Sequence, residues 1–203
     1  MRGFTLIEVV TTIAIMGVIM VAVSLFQYNV LNHNRSAAVA LTNTQEVQAI
    51  LKTMTKEIRS MESGSDGAYP IVSAATSSLT FFADVDSDGN KEKVRYYIGT
   101  TTATANTIYR GTIKPTGSPA VYNAVSEVRK ILVTGVRNAS TTPLFYYFDS
   151  MYAGTSTPMT YPINTTSIRL VRVTITIDTD PNKAPVLRTF MTQAGLRNLK
   201  DNL

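Results

Sequence analysis

Glu8 has the most unusual chemical setting in the chain, because 18 uncharged residues, Val9 to Phe26, follow it. A carboxylate near the start of a membrane helix costs up to roughly a few kcal/mol, so it indicates a function and requires a cationic partner. No Lys or Arg lies within one helical turn of it. Cleavage after Gly3 would create an α-amine on Phe4. On a neighbouring copy, that amine could neutralise Glu8 and set the register between packed helices.

A second cluster of carboxylates follows a short apolar run in the middle of the chain. Its alternating pattern matches the first half of a calcium-binding EF-hand loop, with Gly89 at the sharp turn. The twelfth position of such a loop is Arg95 here instead of a bidentate Glu. Two interpretations stay open. The segment is a polar hairpin tip of turn-forming residues, or it binds Ca²⁺ through Asp84, Asp86, Asp88, Asn90 and Glu92.

Several classes of site are excluded by composition. The chain has no cysteine and a single histidine, His33, which excludes disulfides, thiol chemistry, histidine metal clusters and a Ser-His-Asp triad. No other nucleophile or acid/base constellation emerges, so we expect a non-enzyme that requires no cofactor. The net charge is +5, but the Lys and Arg residues are spread singly. This spacing predicts a solvated basic surface without a convincing nucleic-acid site.

The apolar segment is long enough for a membrane helix. Val9 to Phe26 would span ~27 Å as a helix, close to the ~30 Å hydrocarbon core. Three interpretations compete: a secretory signal peptide cleaved near Ala22-Val23-Ser24, a plain anchor, and an assembly helix that uses Glu8. The carboxylate favours the third. We also expect Thr11 and Thr12 to bond back to carbonyls of their own helix.

The N-terminal residues resemble a known family. Gly3-Phe4-Thr5-Leu6-Ile7-Glu8, followed by the apolar stretch, is similar to the signature of type IV prepilins and type II secretion pseudopilins. The resemblance implies cleavage by a prepilin peptidase after Gly3, N-methylation of Phe4, and pairing of Glu8 with a neighbour's N-terminus during assembly. It covers about the first 30 residues.

The same resemblance implies partners and a location. The partners are the prepilin peptidase, other pilins or pseudopilins, and the cytoplasmic membrane. The chain would cross that membrane once, with an extracytoplasmic head, and then enter a cell-surface or periplasmic filament. A softer resemblance to larger minor subunits rests on the length, the helix after the membrane segment, the hairpin around Asp84–Asn90 and the closing Leu196-Arg197-Asn198-Leu199.

Helical periodicity continues beyond the membrane segment. Between Gln27 and Ser60 there is no Pro or Gly, and five apolar residues recur on one face: Val47, Ile50, Leu51, Met54 and Ile58. We therefore expect one long helix whose second half packs on a sheet. The predicted organisation is a leader at 1–3, a transmembrane helix at 4–27, an amphipathic helix at 28–60 and a β-rich head at 61–203.

The head carries the alternation typical of strands. Strands are predicted at Leu79–Ala83, Val94–Ile98, Thr107–Arg110, Val128–Thr134, Leu144–Phe148, Ser167–Ile177 and Val186–Thr192. A change of phase near Leu170-Val171 predicts a bulge. No helical pattern separates these strands. The sequence thus predicts an α+β protein, with an antiparallel sheet packed on the helix in a pilin-like head.

A rival function is a membrane-tethered or secreted binding module that does not enter a filament. Its ligands would stack on exposed aromatic side chains. Four tyrosines are candidates, but neighbours on a strand face opposite sides, so about half should be buried: Tyr96, Tyr97, Tyr146 and Tyr147.

Overall fold

The computed structural model of the protein describes residues 3–139, 141–178 and 187–197, without the side chains of residues 29 and 32–40. It contains one long helix, α1 (Leu6–Arg59), followed by eight strands. The chain forms two compact units, Met1–Thr42 and Asn43–Leu203, whose boundary falls within α1. The fold is α+β, as predicted.

In the first unit, α1 begins at Leu6 and carries the apolar segment. Every described side chain of this part is exposed to solvent, including large ones such as Leu6, Ile13 and Phe26. Gly17 lies within the helix without interrupting it. An apolar helix that buries nothing within its own unit needs an apolar environment from elsewhere.

In the second unit, the last turns of α1 supply one side of the core. Val47, Leu51, Met54 and Ile58 are buried, with Ile50 partly buried beside them. Their spacing places them on one helical face, and the predicted stripe is confirmed. Three basic residues of the same segment lie exposed to solvent: Lys52, Lys56 and Arg59.

Two antiparallel sheets make up the rest of the head. The first has five strands in sequential order: β1 (Ile71–Ala74), β2 (Ser78–Ala83), β3 (Glu92–Ile98), β4 (Ile108–Ile113) and β5 (Val128–Val133). The second has three: β6 (Phe145–Phe148), β7 (Leu170–Asp178) and β8 (Leu187–Gly195). Within each sheet, every strand pairs with the next along the chain, as expected where no helix separates them.

One hydrophobic core joins both sheets to α1. It includes Phe81 and Tyr96 of the first sheet together with Val173 and Ile175 of the second. The hydroxyl groups of Thr55 on α1 and Thr192 on β8 lie 3.2 Å apart. The helix therefore contacts the second sheet through a polar pair as well as through the core.

All seven predicted strands have counterparts, with shifted ends. The prediction missed β1 because only two apolar residues, Ile71 and Val72, mark it after Pro70. The last strand runs on to Gly195, past the predicted end at Thr192, while Val186 lies outside the described residues. Of the predicted closing segment, Leu196 is buried, and Asn198 and Leu199 lie outside the described residues.

The predicted bulge at Leu170-Val171 is wrong. The two neighbouring strands, β6 and β8, pair with β7 through this point without a shift of register. The change of phase has another cause: residues Thr165–Ser167 form a short 3-10 helix, so the strand begins only at Leu170. Thr174 and Thr176 are also buried, although they alternate along β7 with the buried apolar residues Val173 and Ile175. The Asn138 side chain bonds the backbone of both residues, which satisfies polar groups that water would otherwise reach.

Candidate processing, assembly and cation sites

The residues around the predicted cleavage point lie just ahead of α1. Gly3 and Phe4 are outside any helix or strand, and the Phe4 side chain is 89% exposed. An added Cβ at Gly3 would meet nothing within 4 Å. The fold of the chain itself thus imposes no need for glycine at this position. A requirement for Gly3 would have to come from a partner that binds this segment.

Glu8 caps the start of α1. One of its carboxylate oxygens, Oε2, accepts hydrogen bonds from the Thr5 backbone N–H and the Thr5 hydroxyl, both at 2.9 Å. The Glu8 N–H in turn donates to Thr5 Oγ1 at 3.4 Å. This reciprocal arrangement is a capping box, which satisfies backbone donors that a helix leaves free at its first turn.

The capping box is a local role for Glu8 that the sequence interpretation missed. Its signal, Thr-x-x-Glu directly before an apolar run, is present at Thr5 and Glu8. Even a plain membrane anchor would therefore gain helix stability from this carboxylate. Thr5 nevertheless contributes no positive charge, so the negative charge of Glu8 is not neutralised by this contact.

The apolar part of α1 is suited to a lipid environment. Leu6–Tyr28 is a stretch long and apolar enough to cross a membrane, and none of it is buried. Its hydroxyl groups bond within the helix: Thr11 to the Ile7 carbonyl, Thr12 to the Glu8 carbonyl and Ser24 to the Met20 carbonyl, at 2.8–2.9 Å. The expectation for Thr11 and Thr12 is confirmed. Such bonds satisfy polar groups where no water is available.

The predicted acidic loop is the turn between β2 and β3. Carboxylate oxygens of Asp84, Asp86 and Asp88 all lie within 4.8 Å of one another. Gly89 has a φ of 88°, in the left-handed region that favours glycine. The Gly89 N–H donates to Asp84 Oδ2 at 3.0 Å, and the Asn90 N–H donates to Asp88 Oδ1 at 2.8 Å. The turn therefore gathers three of the five predicted ligands and holds two of them, Asp84 and Asp88, by backbone bonds.

Glu92 lies beneath this turn, at the first position of β3. Its side chain is fully buried, and its Oε2 accepts from the Val85 N–H at 3.0 Å. The other oxygen, Oε1, has no hydrogen-bond partner among the described residues. Burial raises the pKa of Glu92, the bond from Val85 opposes that rise, and the charges of Asp86 and Asp88 add to it. Asn90, in contrast, is exposed, and the hydrogen bond it makes to Asp88 comes from its backbone N–H.

Lys114 is the cation that the fold brings to this loop. Its ammonium group forms an ion pair with Asp86 and lies 3.6 Å from Asp88 Oδ2. The sequence does not predict this contact, because β3 and β4 separate Lys114 from the loop along the chain. The Lys114 side chain is 61% exposed, so solvent can replace it at little cost.

The base of the loop is anchored to neighbouring segments. The Lys91 N–H donates to Ser65 Oγ at 3.0 Å, and the Tyr122 hydroxyl donates to the Lys91 carbonyl at 2.6 Å. The Tyr122 ring packs on Phe82 with the ring centroids 4.8 Å apart. These contacts fix the ends of the turn while its tip stays accessible.

The aromatic candidates for ligand stacking divide as predicted. Tyr96 and Tyr147 are fully buried, whereas Tyr97 and Tyr146 are partly exposed. Tyr97 already stacks on Tyr109, with the ring centroids 5.4 Å apart. The Arg95 guanidinium lies 4.2 Å from the Tyr97 ring centre. Because Tyr97 already contacts Tyr109 and Arg95, its ring is a weak candidate for stacking on a ligand.

Comparison with known proteins supports the interpretation of the N-terminus. The family model of the prokaryotic N-terminal methylation motif matches residues 1–24. No curated protein and no solved structure matches the chain. The matched segment contains Gly3, Phe4 and the capping residues Thr5 and Glu8, and it runs into the unburied apolar stretch of α1. Residues 1–24 of this chain are thus similar to the prokaryotic N-terminal methylation motif, and an α+β head follows the helix that the motif begins.

Proposed function

We propose that the protein is a structural, non-catalytic subunit of a type IV pilus or type II secretion pseudopilus. The observation that carries this proposal is the methylation motif at residues 1–24, continuous with an apolar helix that buries nothing in its own unit. A helix of this kind serves two environments in turn. It spans the membrane before assembly, and it packs against the same helix of other subunits afterwards.

In this proposal the precursor is inserted in the cytoplasmic membrane with Arg2 inside and the head outside. A prepilin peptidase removes residues 1–3 and methylates Phe4. Residues 4–27 then form the transmembrane and assembly helix, residues 28–60 extend it, and residues 61–203 form the head. The head's size favours a minor subunit.

Assembly in this scheme depends on the charge of Glu8. The free carboxylate must meet a cation when it leaves water, and the α-amine of Phe4 on a neighbouring subunit supplies one. The Thr5 contacts orient the carboxylate without neutralising it. The capping box and the charge pair are thus compatible roles of one side chain.

The test is the mass and N-terminal sequence of the mature chain, purified from cells that contain a prepilin peptidase. The expected product begins at Phe4 and carries one added methyl group. Gly3→Leu should accumulate as the uncleaved precursor. Gly17→Ala is the matched control, since an added Cβ there also meets nothing within 4 Å. A product that begins after Ser24, or processing of Gly3→Leu equal to that of the parent, would refute the proposal.

A further inference from the structure

We propose that the turn between β2 and β3 binds Ca²⁺ through Asp84, Asp86 and Asp88, with Glu92 as a buried fourth carboxylate. The first three carboxylates lie within 4.8 Å of one another on an accessible turn. Three converging carboxylates, supplemented by backbone carbonyls and water, suit a hard cation that accepts six to eight oxygen ligands. This inference is independent of filament assembly.

Glu92 distinguishes a cation site from a simple polar turn. A turn needs only the backbone bonds that Asp84 and Asp88 already accept. It gives no reason to bury a further carboxylate directly beneath it. Glu92 is 0% exposed, and its Oε2 bonds the Val85 N–H, inside the loop between Asp84 and Asp86.

Two carboxylate oxygens in this region are buried without a donor. They are Glu92 Oε1 and Asp84 Oδ1, and neither has a hydrogen-bond partner among the described residues. Buried polar atoms in folded proteins are nearly always partnered, and a buried carboxylate is costly when it is not. A divalent cation held by the turn would give these carboxylates a positively charged partner.

Charge balance points in the same direction. Three carboxylates converge here and Glu92 bonds the loop backbone beside them, whereas Lys114 is the cation that pairs with Asp86 and lies near Asp88. The neighbouring Lys91 pairs with Glu62, 3.4 Å away, and also donates to the Gly89 carbonyl of the turn at 3.3 Å, but it forms no ion pair with the loop carboxylates among the described residues. We infer that the Lys114 ammonium stands in for the metal and that Ca²⁺ displaces it. Removal of Lys114 should therefore strengthen calcium binding.

The expected affinity is low. The twelfth loop position, where an EF-hand has a bidentate Glu, is Arg95, and Arg95 pairs with Glu127 at 2.8 Å. Without that ligand, we expect a Kd of about 10⁻⁴–10⁻³ M, the range of extracellular calcium modules. Such a site would be filled outside the cytoplasm, which is where the proposed function places the head.

The experiment uses the full chain in detergent after chelator treatment. Calcium binding is measured by titration calorimetry, and the Tm is compared in CaCl₂ and MgCl₂ at matched ionic strength. At a calcium concentration about ten times the Kd, we expect the Tm to rise by about 3–6 °C. Mg²⁺ should give less, because it demands a tighter octahedral geometry.

Substitutions of side chains test which residues bind the calcium ion. Asp86→Asn combined with Asp88→Asn should weaken binding by about tenfold or more, since two of the charged ligands are neutralised. Asp149→Asn is the control, as it makes the same change at another exposed turn. Lys114→Gln should tighten binding about two- to fivefold, the gain from removing one exposed ion pair.

Three results would overturn the proposal. The first is the absence of a calcium-specific heat and Tm shift in the parent chain. The second is unchanged binding in the double Asp variant, and the third is unchanged affinity in Lys114→Gln. The double variant changes only exposed residues of a turn, so we expect it to fold. If it does not, the Lys114→Gln titration still decides the outcome.

Discussion

Arg110 on β4 and Glu57 on α1 form a two-pronged ion pair at the contact between the helix and the first sheet. Arg110 Nε donates to Glu57 Oε2 at 3.0 Å, and Nη2 donates to Oε1 at 2.9 Å. The Tyr96 hydroxyl donates to the same Oε2 at 2.5 Å. The side chains of Arg110 and Glu57 are only 20% and 13% exposed. This pairing therefore fixes the register of the helix on the sheet in a largely dry environment.

Glu57→Gln is predicted to destabilise the head by about 2–4 kcal/mol, because Arg110 would keep its charge in a mostly buried position without a counterion. The effect is measured by urea unfolding of the full chain in detergent, with near-UV circular dichroism of the tyrosines as the signal. Glu46→Gln is the matched control on an exposed position of the same helix, and it should change stability by less than about 0.5 kcal/mol. Equal stability of the two variants would show that the pair contributes nothing.

A second prediction concerns the close approach of Gly111 to Glu127. A Cβ at Gly111 would collide with the Glu127 carboxylate and lie 2.7 Å from its Cδ. Glu127 cannot easily move, since Arg95 holds it by two bonds of 2.9 Å and Arg129 by one of 2.7 Å. Gly111→Ala should therefore cost about 1–3 kcal/mol, as overpacking does in a core.

The control for this substitution is Gly195→Ala on β8. An added Cβ there meets nothing within 4 Å. Alanine loses less backbone entropy than glycine on folding, so this variant should be neutral or gain up to about 1 kcal/mol. Chemical unfolding of both variants measures the two changes in the free energy of unfolding. A Gly111→Ala chain as stable as the parent would mean that Glu127 rearranges at no cost.

These contacts mark the limit of what the sequence could predict. Periodicity identified the buried stripe of α1 and the burial of about half of the strand tyrosines, because each follows from neighbours along one element. The partner of Glu57 is 53 residues away and that of Arg95 is 32 residues away. Pairs at such separations depend on strand register, which no local pattern specifies.

The candidate sites, too, were predictable where they depend on residues close in sequence and not where they depend on distant ones. The position of the acidic turn between two strands was predicted from alternation and turn formers, and its three Asp residues do converge. The contribution of Lys114 was not predictable, because two strands separate it from the turn. The capping role of Thr5 was predictable from the Thr-x-x-Glu spacing, since it depends only on residues within one helical turn.

A third prediction concerns alkaline pH. Burial raises the pKa of Tyr147 well above its usual value of 10, and the charge of Tyr161 adds to the rise. Burial likewise raises the pKa of Tyr161, to about 12. The unfolded chain then releases these protons above pH ~10 while the folded chain retains them. The free energy of unfolding should thus be unaffected by these groups below pH 10 and fall above it.

Tyr147→Phe isolates this contribution. Loss of the hydroxyl bonds to Ala75 and Ser78 lowers stability at every pH, so the slope is the informative quantity. Between about pH 10 and 12, the parent should lose up to about 1.4 kcal/mol per pH unit more than the variant, the equivalent of one proton. Urea midpoints at several pH values measure this. Parallel curves for the two chains would contradict the prediction.

The last prediction separates the two roles of Glu8. Glu8→Gln keeps an oxygen that can accept from Thr5 but removes the charge, whereas Glu8→Ala removes both. Thr5→Ala keeps the charge and removes the side-chain half of the capping box. If assembly depends on charge pairing, Glu8→Gln and Glu8→Ala should both be processed after Gly3 yet be strongly depleted from sheared filaments. Thr5→Ala should enter filaments at close to the parental level, since its loss costs only about 0.5–2 kcal/mol at an exposed helix end.

The measurement is the ratio of filament-associated to membrane-associated chain, with N-terminal sequencing of both fractions to confirm cleavage. Incorporation of Glu8→Gln at the parental level, together with failure of Glu8→Ala and Thr5→Ala, would assign the carboxylate to helix capping alone. The distinction is sharp because a carboxamide is nearly the same size as a carboxylate and differs in charge. In a low-dielectric helix bundle, an unpaired charge and a neutral amide have very different costs. The Gln variant therefore reports on the charge while the fold of the first helical turn is preserved.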